Sequence, residues 1–134
     1  MHELVNVAKL NKPFPTSWAA VSKRYAADHH EVVQQYVKSI AQAVAFELRN
    51  PGETQKILAK YVQIDDPNLA KQSYDELVPY LRKDVTPPPE AVRNALDQLA
   101  ETLPQARSAD PATFIDAEFA QQLQTSGFID SLYR

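Results

Sequence analysis

The stretch from Glu31 to Arg49, EVVQQYVKSIAQAVAFELR, constrains the fold more than any other part of the chain. On a helical wheel it forms an amphipathic helix of about five turns, with its apolar residues on one broad arc. That arc consists of Val33, Tyr36, Val37, Ile40, Ala41, Ala43, Val44 and Leu48. Burying such side chains yields about 1.5–3 kcal/mol each, which does not offset an ordering cost of about 1.5 kcal/mol per residue. Later segments must therefore pack onto this helix.

Two residues depart from the pattern of this helix. Glu47 projects toward the apolar arc, and we expect its carboxylate to reach solvent near the helix end. Phe46 projects toward the polar side, and we expect it to touch a neighbouring segment.

Ten prolines against two glycines indicate a chain punctuated by helix starts. Four further helices are predicted. One follows Asn50 and Pro51 in a capping box with Glu53, and buries Ile57, Leu58 and Tyr61. The others run from Asp66 to a kink or end near Val78 before Pro79, from Glu90 to Leu103 before Pro104, and from an Asp116 cap through Thr125. Gly127 is predicted to adopt a left-handed conformation, after which Phe128, Ile129, Leu132 and Tyr133 form an apolar tail that needs a groove.

The first part of the chain leaves alternatives open. Met1 to Asn11 fits a short strand or a loose turn. Thr16 to Val21 fits an extended strand, with Ser22 capping a helix from Lys23 to Asp28, although a helix starting at Ser17 fits as well. The predicted fold class is mainly α, with about six helices and at most one or two short strands, in a single helical unit over 1–134.

Composition excludes several classes of function. A net charge of −3, a pI near 5.6 and scattered basic residues predict no nucleic-acid partner. Without cysteine there is no disulfide, thiolate nucleophile or thiolate metal site. The first twenty residues lack a basic leader followed by an apolar run, and no segment is apolar enough to span a membrane. We therefore expect neither an export signal nor a membrane span.

The sequence offers little catalytic chemistry. His29 and His30 are adjacent, so on a helix they cannot chelate one metal together, and we expect a solvated junction there. The pair Asp65 and Asp66 precedes a proline, which favours a helix cap over a cation site. Two glycines cannot build a nucleophile elbow or a phosphate loop. We predict no enzyme, no cofactor and no metal site.

Three stretches carry a resemblance to a known family: KPFPTSWAAVSKRYAADHHEVVQQYVKSIAQAVAFELRNP, ILAKYVQIDDPNLAKQSYDELVPYL and DPATFIDAEFAQQLQTSGFIDSLYR. Together they resemble the carboxyl-terminal part of periplasmic solute-binding proteins of ABC importers, in the branch that binds nitrate, alkanesulfonates, taurine and thiamine precursors. The closing phrase is the most specific piece, through Asp110, Pro111, Phe114, Asp116, Phe119, Leu123, Gly127, Phe128, Ile129, Asp130, Leu132 and Tyr133.

The resemblance implies a partial or truncated solute-binding protein, similar to the helical C-terminal part of a type II lobe. Family members have two α/β lobes that close on a ligand, whereas this chain resembles only the last portion. Inherited contacts to a small-molecule solute are expected at Phe14, Thr16, Ser17 and Trp18. An ABC permease and a periplasmic location are expected only within a full-length exported receptor, and a cytoplasmic location for this chain alone.

If this chain is only part of the family's fold, the absent segments leave some of its apolar surface and strand edges uncovered. We therefore expect the chain to associate with itself. The main alternative function is a stand-alone helical protein that oligomerises or docks on a partner without binding a ligand. A third alternative, an enzyme similar to pyrimidine-precursor synthases of the same superfamily, has no matching motif here.

Overall fold

The computed structural model describes residues 13–15 and 18–134, and in them the chain is mainly helical, without strands. The first and last helices are short, the second is long, and the others are of intermediate length. The α-helices in the described residues are α1 (Lys23–Asp28), α2 (His30–Arg49), α3 (Pro51–Val62), α4 (Pro67–Leu77), α5 (Pro89–Leu99), α6 (Glu118–Thr125) and α7 (Phe128–Ser131). Short 3-10 turns cover Val78–Tyr80, Pro104–Ser108 and Pro111–Phe114. The predicted mainly α fold class is confirmed.

Two compact units share these helices. One unit comprises Pro87–Ala117 with the described residues before Lys23, and the other comprises Lys23–Thr86 with Glu118–Arg134. The prediction of a single helical unit over 1–134 stays a prediction.

In the larger unit, the C-terminal helices pack on α2. Ala41, Leu123 and Ile129 form a buried cluster, against which Val37, Val85, Phe128, Leu132 and Tyr133 pack. Alanines at positions 41 and 45 are buried, and their small side chains let another helix approach closely. The guanidinium of Arg49 donates from Nη1 to the Leu132 carbonyl over 2.6 Å, which holds the C-terminus against the end of α2. The predicted apolar tail therefore has its groove.

Helices α3 and α4 pack on each other in the same unit. Tyr74 is buried, and its hydroxyl donates to the Glu47 carbonyl over 2.9 Å. Thr54, which is also buried, donates from Oγ1 to the same carbonyl over 3.4 Å. These bonds fasten both helices to the end of α2, where backbone carbonyls lack helical partners.

Prolines open α3 and α4, as predicted, because the first helical position needs no N–H donor. A proline also opens α5, which begins at Pro89 rather than at the predicted Glu90. Asp66 accepts the Asn68 N–H over 2.8 Å and caps α4. The predicted capping box at Asn50 is wrong. The Asn50 side-chain amide donates to the Phe46 carbonyl of α2 over 2.9 Å, and Glu53 instead pairs with Lys56 over 2.7 Å. Asn50 alone joins α2 to α3, and its side chain hydrogen-bonds to the end of α2 rather than to the start of α3.

The helix that was predicted to end near Pro79 does so, whereas the helix that was predicted to end before Pro104 ends earlier. Helix α4 ends at Leu77, just before the predicted break at Val78 and Pro79. Helix α5 ends at Leu99 rather than at Leu103. The residue before a proline is disfavoured in the α conformation, and Leu103, which precedes Pro104, has φ −128° and ψ 84°.

The smaller unit has its own apolar cluster. Val92, Leu96, Ala100 and Ala106 are buried, with Ala109 and Ile115 packed against them. Arg93 donates from Nη1 to the Arg107 carbonyl over 3.3 Å and from Nη2 to the Ala109 carbonyl, which ties α5 to the loop that follows it.

At the N-terminal side, α1 begins at Lys23 as predicted, and residues 18–22 are neither helix nor strand. The predicted strand over Thr16 to Val21 is therefore wrong for residues 18–21, and the alternative helix starting at Ser17 is wrong for residues 18–22. Thr16, Ser17 and the Met1 to Asn11 stretch lie outside the described residues. Gly127 has φ 73°, the left-handed value predicted, and its N–H donates to the Gln124 carbonyl over 3.0 Å. Over residues 13–15 and 18–134, no helix combines the length and apolar character needed to cross a bilayer.

Candidate functional site

Helix α2 is apolar around most of its circumference. At 100° per residue, Val37, Ala41, Ala45 and Leu48 share one side, which carries the buried alanines. Val32, Tyr36, Ile40 and Ala43 share a different side, about a third of a turn away. Most of its charged and amide side chains lie in a narrow wedge made by Glu31, Gln35, Lys38, Gln42 and Arg49, whereas Gln34 lies on the buried side and Glu47 on the second apolar side.

The second apolar side is exposed. Val32 is 56% exposed, Tyr36 is 50% exposed and Ile40 is 39% exposed. Helices that are apolar on nearly all sides are normally buried on all sides, so this exposure is unusual. The sequence predicted one continuous buried arc, and for Tyr36, Ile40 and Ala43 that prediction is wrong.

Polar groups stand at the two ends of this exposed side. His29 precedes α2, four residues before Val33, and its ring lies 4.5 Å from the Tyr25 ring between centroids. Glu47 lies four residues after Ala43 and is half-buried, so desolvation raises the pKa of its carboxyl above the usual value. We define the α2 face as His29, Val32, Val33, Tyr36, Ile40, Ala43 and Glu47.

Phe46 lies beside the α2 face and is 43% exposed, and its predicted contact with a neighbouring segment stays a prediction. Its carbonyl accepts hydrogen bonds from both the backbone N–H and the side-chain amide of Asn50. Phe46 thus enlarges the exposed apolar surface at the C-terminal end of α2.

Exposure extends to α3. Ile57 and Tyr61, which were predicted to be buried, are both exposed. They lie three and seven residues after Thr54, the residue of that helix that is buried, so burial of this side of α3 does not extend along the helix to them. Ile57 is therefore a natural control for changes on the α2 face.

Of the four sequence-predicted ligand contacts, the structure describes Phe14 and Trp18. Phe14 and Trp18 are both exposed, in segments without regular structure. Thr16 and Ser17 lie outside the described residues. As a ligand site, this group of four stays a prediction.

A shallow cavity of about 330 Å³ lies instead beside the C-terminal helix. It is lined by Lys83, Asp84, Gln124, Ile129, Asp130 and Tyr133. Lys83 Nζ lies 4.5 Å from the centre of the Tyr133 ring, and Arg82 binds Asp84 through Nε over 3.0 Å and Nη2 over 2.6 Å. The Tyr133 hydroxyl is buried and meets no hydrogen-bond partner among the described residues, and desolvation raises its pKa. The cavity thus presents charged groups, an amide and an aromatic ring, which are groups that bind small polar molecules.

The histidine pair behaves as two separate side chains. His30 stacks on Phe119 with ring centroids 4.8 Å apart, and its Nε2 lies 3.9 Å from Glu118 Oε1. Both histidines are exposed, in agreement with the predicted solvated junction. Within the described parts of the chain, no group of three His, Asp or Glu side chains could hold a metal ion.

Comparison of the chain with protein-family models, curated proteins and solved structures finds no match.

The sequence could have revealed the α2 face. Its signal is that apolar residues of α2 extend beyond the roughly 100° stripe that one partner covers. The cavity had no comparable signal, because Lys83 and Tyr133 meet only through the fold.

Proposed function

We propose that this chain is a helical interaction protein that associates with a second copy of itself through the α2 face. The single observation that carries the proposal is the exposure of Val32, Tyr36 and Ile40 on a helix with a second, buried apolar side. Exposed apolar patches of this kind mark interaction surfaces in soluble proteins.

A second copy is the occupant that the composition of the α2 face favours. Between its two polar ends the face is uncharged, so it offers no steering charge to an acidic or basic partner. Two identical apolar faces can cover each other around a two-fold axis, which is the commonest symmetry among oligomers. Phe46 and the flanking Gln35 and Ser39 extend the surface toward the roughly 800 Å² per partner of a standard interface.

Sedimentation of the whole chain tests this proposal. We expect a monomer–dimer equilibrium with a dissociation constant between about 1 and about 100 μM, which corresponds to binding free energies of about 8.2 to about 5.5 kcal/mol. Ile40→Glu places a charge in the middle of the face, and should weaken the dimer at least about tenfold because an unpaired buried charge is costly.

Ile57→Glu is the matched control, since it makes the same change at an exposed residue of α3. It should leave the equilibrium unchanged, while circular dichroism shows that both variants remain helical. A wild-type chain that sediments as a monomer throughout the range would contradict the proposal, as would equal weakening by the two variants.

A second candidate is binding of a small anionic, organosulfur or nitrogen-containing solute, as the resemblance to ABC-importer solute-binding proteins implies. The observation that favours it is that Gln124, Ile129, Asp130 and Tyr133, from the closing phrase of the resemblance, line the cavity. Docking on an ABC permease belongs to this candidate only within a full-length exported receptor.

Thermal-shift measurements test the second candidate with taurine, alkanesulfonates, nitrate and pyrimidine precursors. A solute that binds only the folded chain must raise the melting temperature with increasing concentration. Lys83→Ala should remove the shift if the cavity is the site. Unchanged melting with all of these solutes would exclude the candidate.

A further inference from the structure

Six of the seven residues of the α2 face follow a symmetrical spacing, and Val32 lies outside it. His29, Val33, Tyr36, Ile40, Ala43 and Glu47 are separated by alternating steps of four and three, which is the pattern of helices that pack along a shared seam. The order of these steps is the same whether the helix is followed from its N-terminus or from its C-terminus. Two copies running in opposite directions can therefore align each of these six positions with one of the same six positions of the other copy.

We propose that two α2 faces pack antiparallel, with His29 beside the partner's Glu47, Val33 beside the partner's Ala43 and Tyr36 beside the partner's Ile40. This inference rests on the proposed self-association and specifies its geometry. The polar pair closes each end of the seam, and the apolar pairs fill the middle.

Charge favours the antiparallel direction. In a parallel pair, each Glu47 would face the partner's Glu47, and like charges at close range are unfavourable. In the antiparallel pair, each half-buried Glu47 carboxylate faces an imidazole that can donate a hydrogen bond. The helix dipoles are then also opposed, with the partly negative end of one α2 beside the partly positive end of the other.

Side-chain volume favours the same direction. A parallel pair would place two Tyr36 rings in one layer and two Ala43 methyl groups in another, which leaves a gap in the second layer. The antiparallel pair combines a larger with a smaller side chain in every apolar layer. Even filling matters because cavities in packed interfaces reduce stability.

Cysteine cross-linking tests the register, and the natural chain contains no cysteine to interfere. Val33→Cys and Ala43→Cys are made as separate proteins, mixed in equal amounts and oxidised. In the proposed register these two positions are adjacent, whereas the two copies of residue 43 lie roughly 15 Å apart along the axis at about 1.5 Å per residue. A disulfide needs Cα atoms within about 7 Å.

We expect a covalent dimer from the mixture and none from Ala43→Cys alone. Efficient cross-linking of Ala43→Cys alone would overturn the antiparallel register while leaving self-association intact. A wild-type chain that sediments as a monomer would overturn both, so the two failures are distinguishable.

Exchanging the charges of Glu47 and His29 is an independent test of the pairing, measured as the dimer dissociation constant by sedimentation. Glu47→Lys places a cation beside the partner's His29 and should weaken the dimer several-fold to about tenfold, since the pair lies at the end of the seam. Adding His29→Glu to the same chain re-creates opposite charges at both ends and should restore dimerisation to within about threefold of wild type. A double variant as weak as Glu47→Lys alone would overturn the assigned pairing.

Discussion

Replacing Ile129 by alanine tests whether the C-terminal helix is anchored as the structure indicates. Ile129 is 4% exposed and packs in the cluster with Ala41 and Leu123. Helix α7 spans only Phe128–Ser131, and a helix this short has no stability of its own in water. The side chain of Ile129 must therefore supply a large part of the free energy that holds α7 in place.

The expected loss follows from burial. Removing a buried isoleucine side chain to alanine costs about 2–5 kcal/mol, because transfer energy is lost and a cavity remains. We take about 3 kcal/mol for Ile129→Ala, since its neighbour Ala41 is small and cannot expand into the space. In urea, with a slope of about 1–3 kcal/mol per molar, the midpoint should fall by about 1–3 M.

Ile57→Ala is the control with the same chemical change. Ile57 is 46% exposed on α3, so its removal loses only part of the transfer energy and leaves no enclosed cavity. Alanine also has the higher helix propensity, which returns a few tenths of a kcal/mol. The cost should stay below about 1 kcal/mol.

Urea denaturation followed by circular dichroism measures both variants, at a protein concentration where the chain is monomeric. A loss for Ile129→Ala no larger than that for Ile57→Ala would refute the packing of α7 against α2.

Three further changes test individual interactions. Tyr74→Phe removes the hydroxyl that donates to the Glu47 carbonyl and should cost about 1–2 kcal/mol in urea denaturation, whereas Tyr61→Phe, at a 77% exposed ring, should cost nothing measurable. Asp66→Ala removes the cap of α4 and should lower stability by about 1 kcal/mol, while Asp65→Ala stays within about 0.5 kcal/mol of wild type, a contrast that thermal melts resolve. Desolvation holds the pKa of Glu47 above 4.5 in the folded chain, so ionisation of this carboxyl destabilises the fold as pH rises through that pKa. In the monomeric Ile40→Glu background, adding Glu47→Gln should therefore raise the free energy of unfolding at pH 7. A gain in stability that persisted undiminished below pH 4.5 would contradict this cause.

Helix positions could be predicted from the sequence because their signals are local. A proline at the first helical position, an aspartate before it and a left-handed glycine each act on their immediate neighbours. Asp66 and Pro67 begin α4 as predicted, and Gly127 adopts the predicted left-handed conformation after α6. The end of α5 was placed too late, because the turn at residues 100–102 leaves no signal in an apolar periodicity that continues to Leu103. Pro104 itself restricts only Leu103, the residue before it.

Which apolar side is covered could not be predicted in the same way. Periodicity identifies an apolar side, but burial requires another segment of matching shape. Ile57 and Tyr61 share a helical spacing with the buried Thr54 and yet are exposed, because the segments that cover Thr54 do not cover them. In the same way, Lys83 and Tyr133 form one wall of the cavity only after the chain has folded.

The two apolar sides of α2 separate stability from association. The side with Ala41 and Ala45 presents small residues and lets α6 and α7 approach, so changes in that contact act on the folding of one chain. The side with Tyr36 and Ile40 presents large residues to solvent, so changes there act on pairing between chains. Ile129→Ala should consequently lower the unfolding energy of the monomer while leaving the dimer dissociation constant nearly unchanged, and Ile40→Glu should do the reverse. Because the α2 face and the buried side lie on one rigid helix, loss of both properties in either variant would mean that α2 itself, rather than one of its sides, had been disrupted.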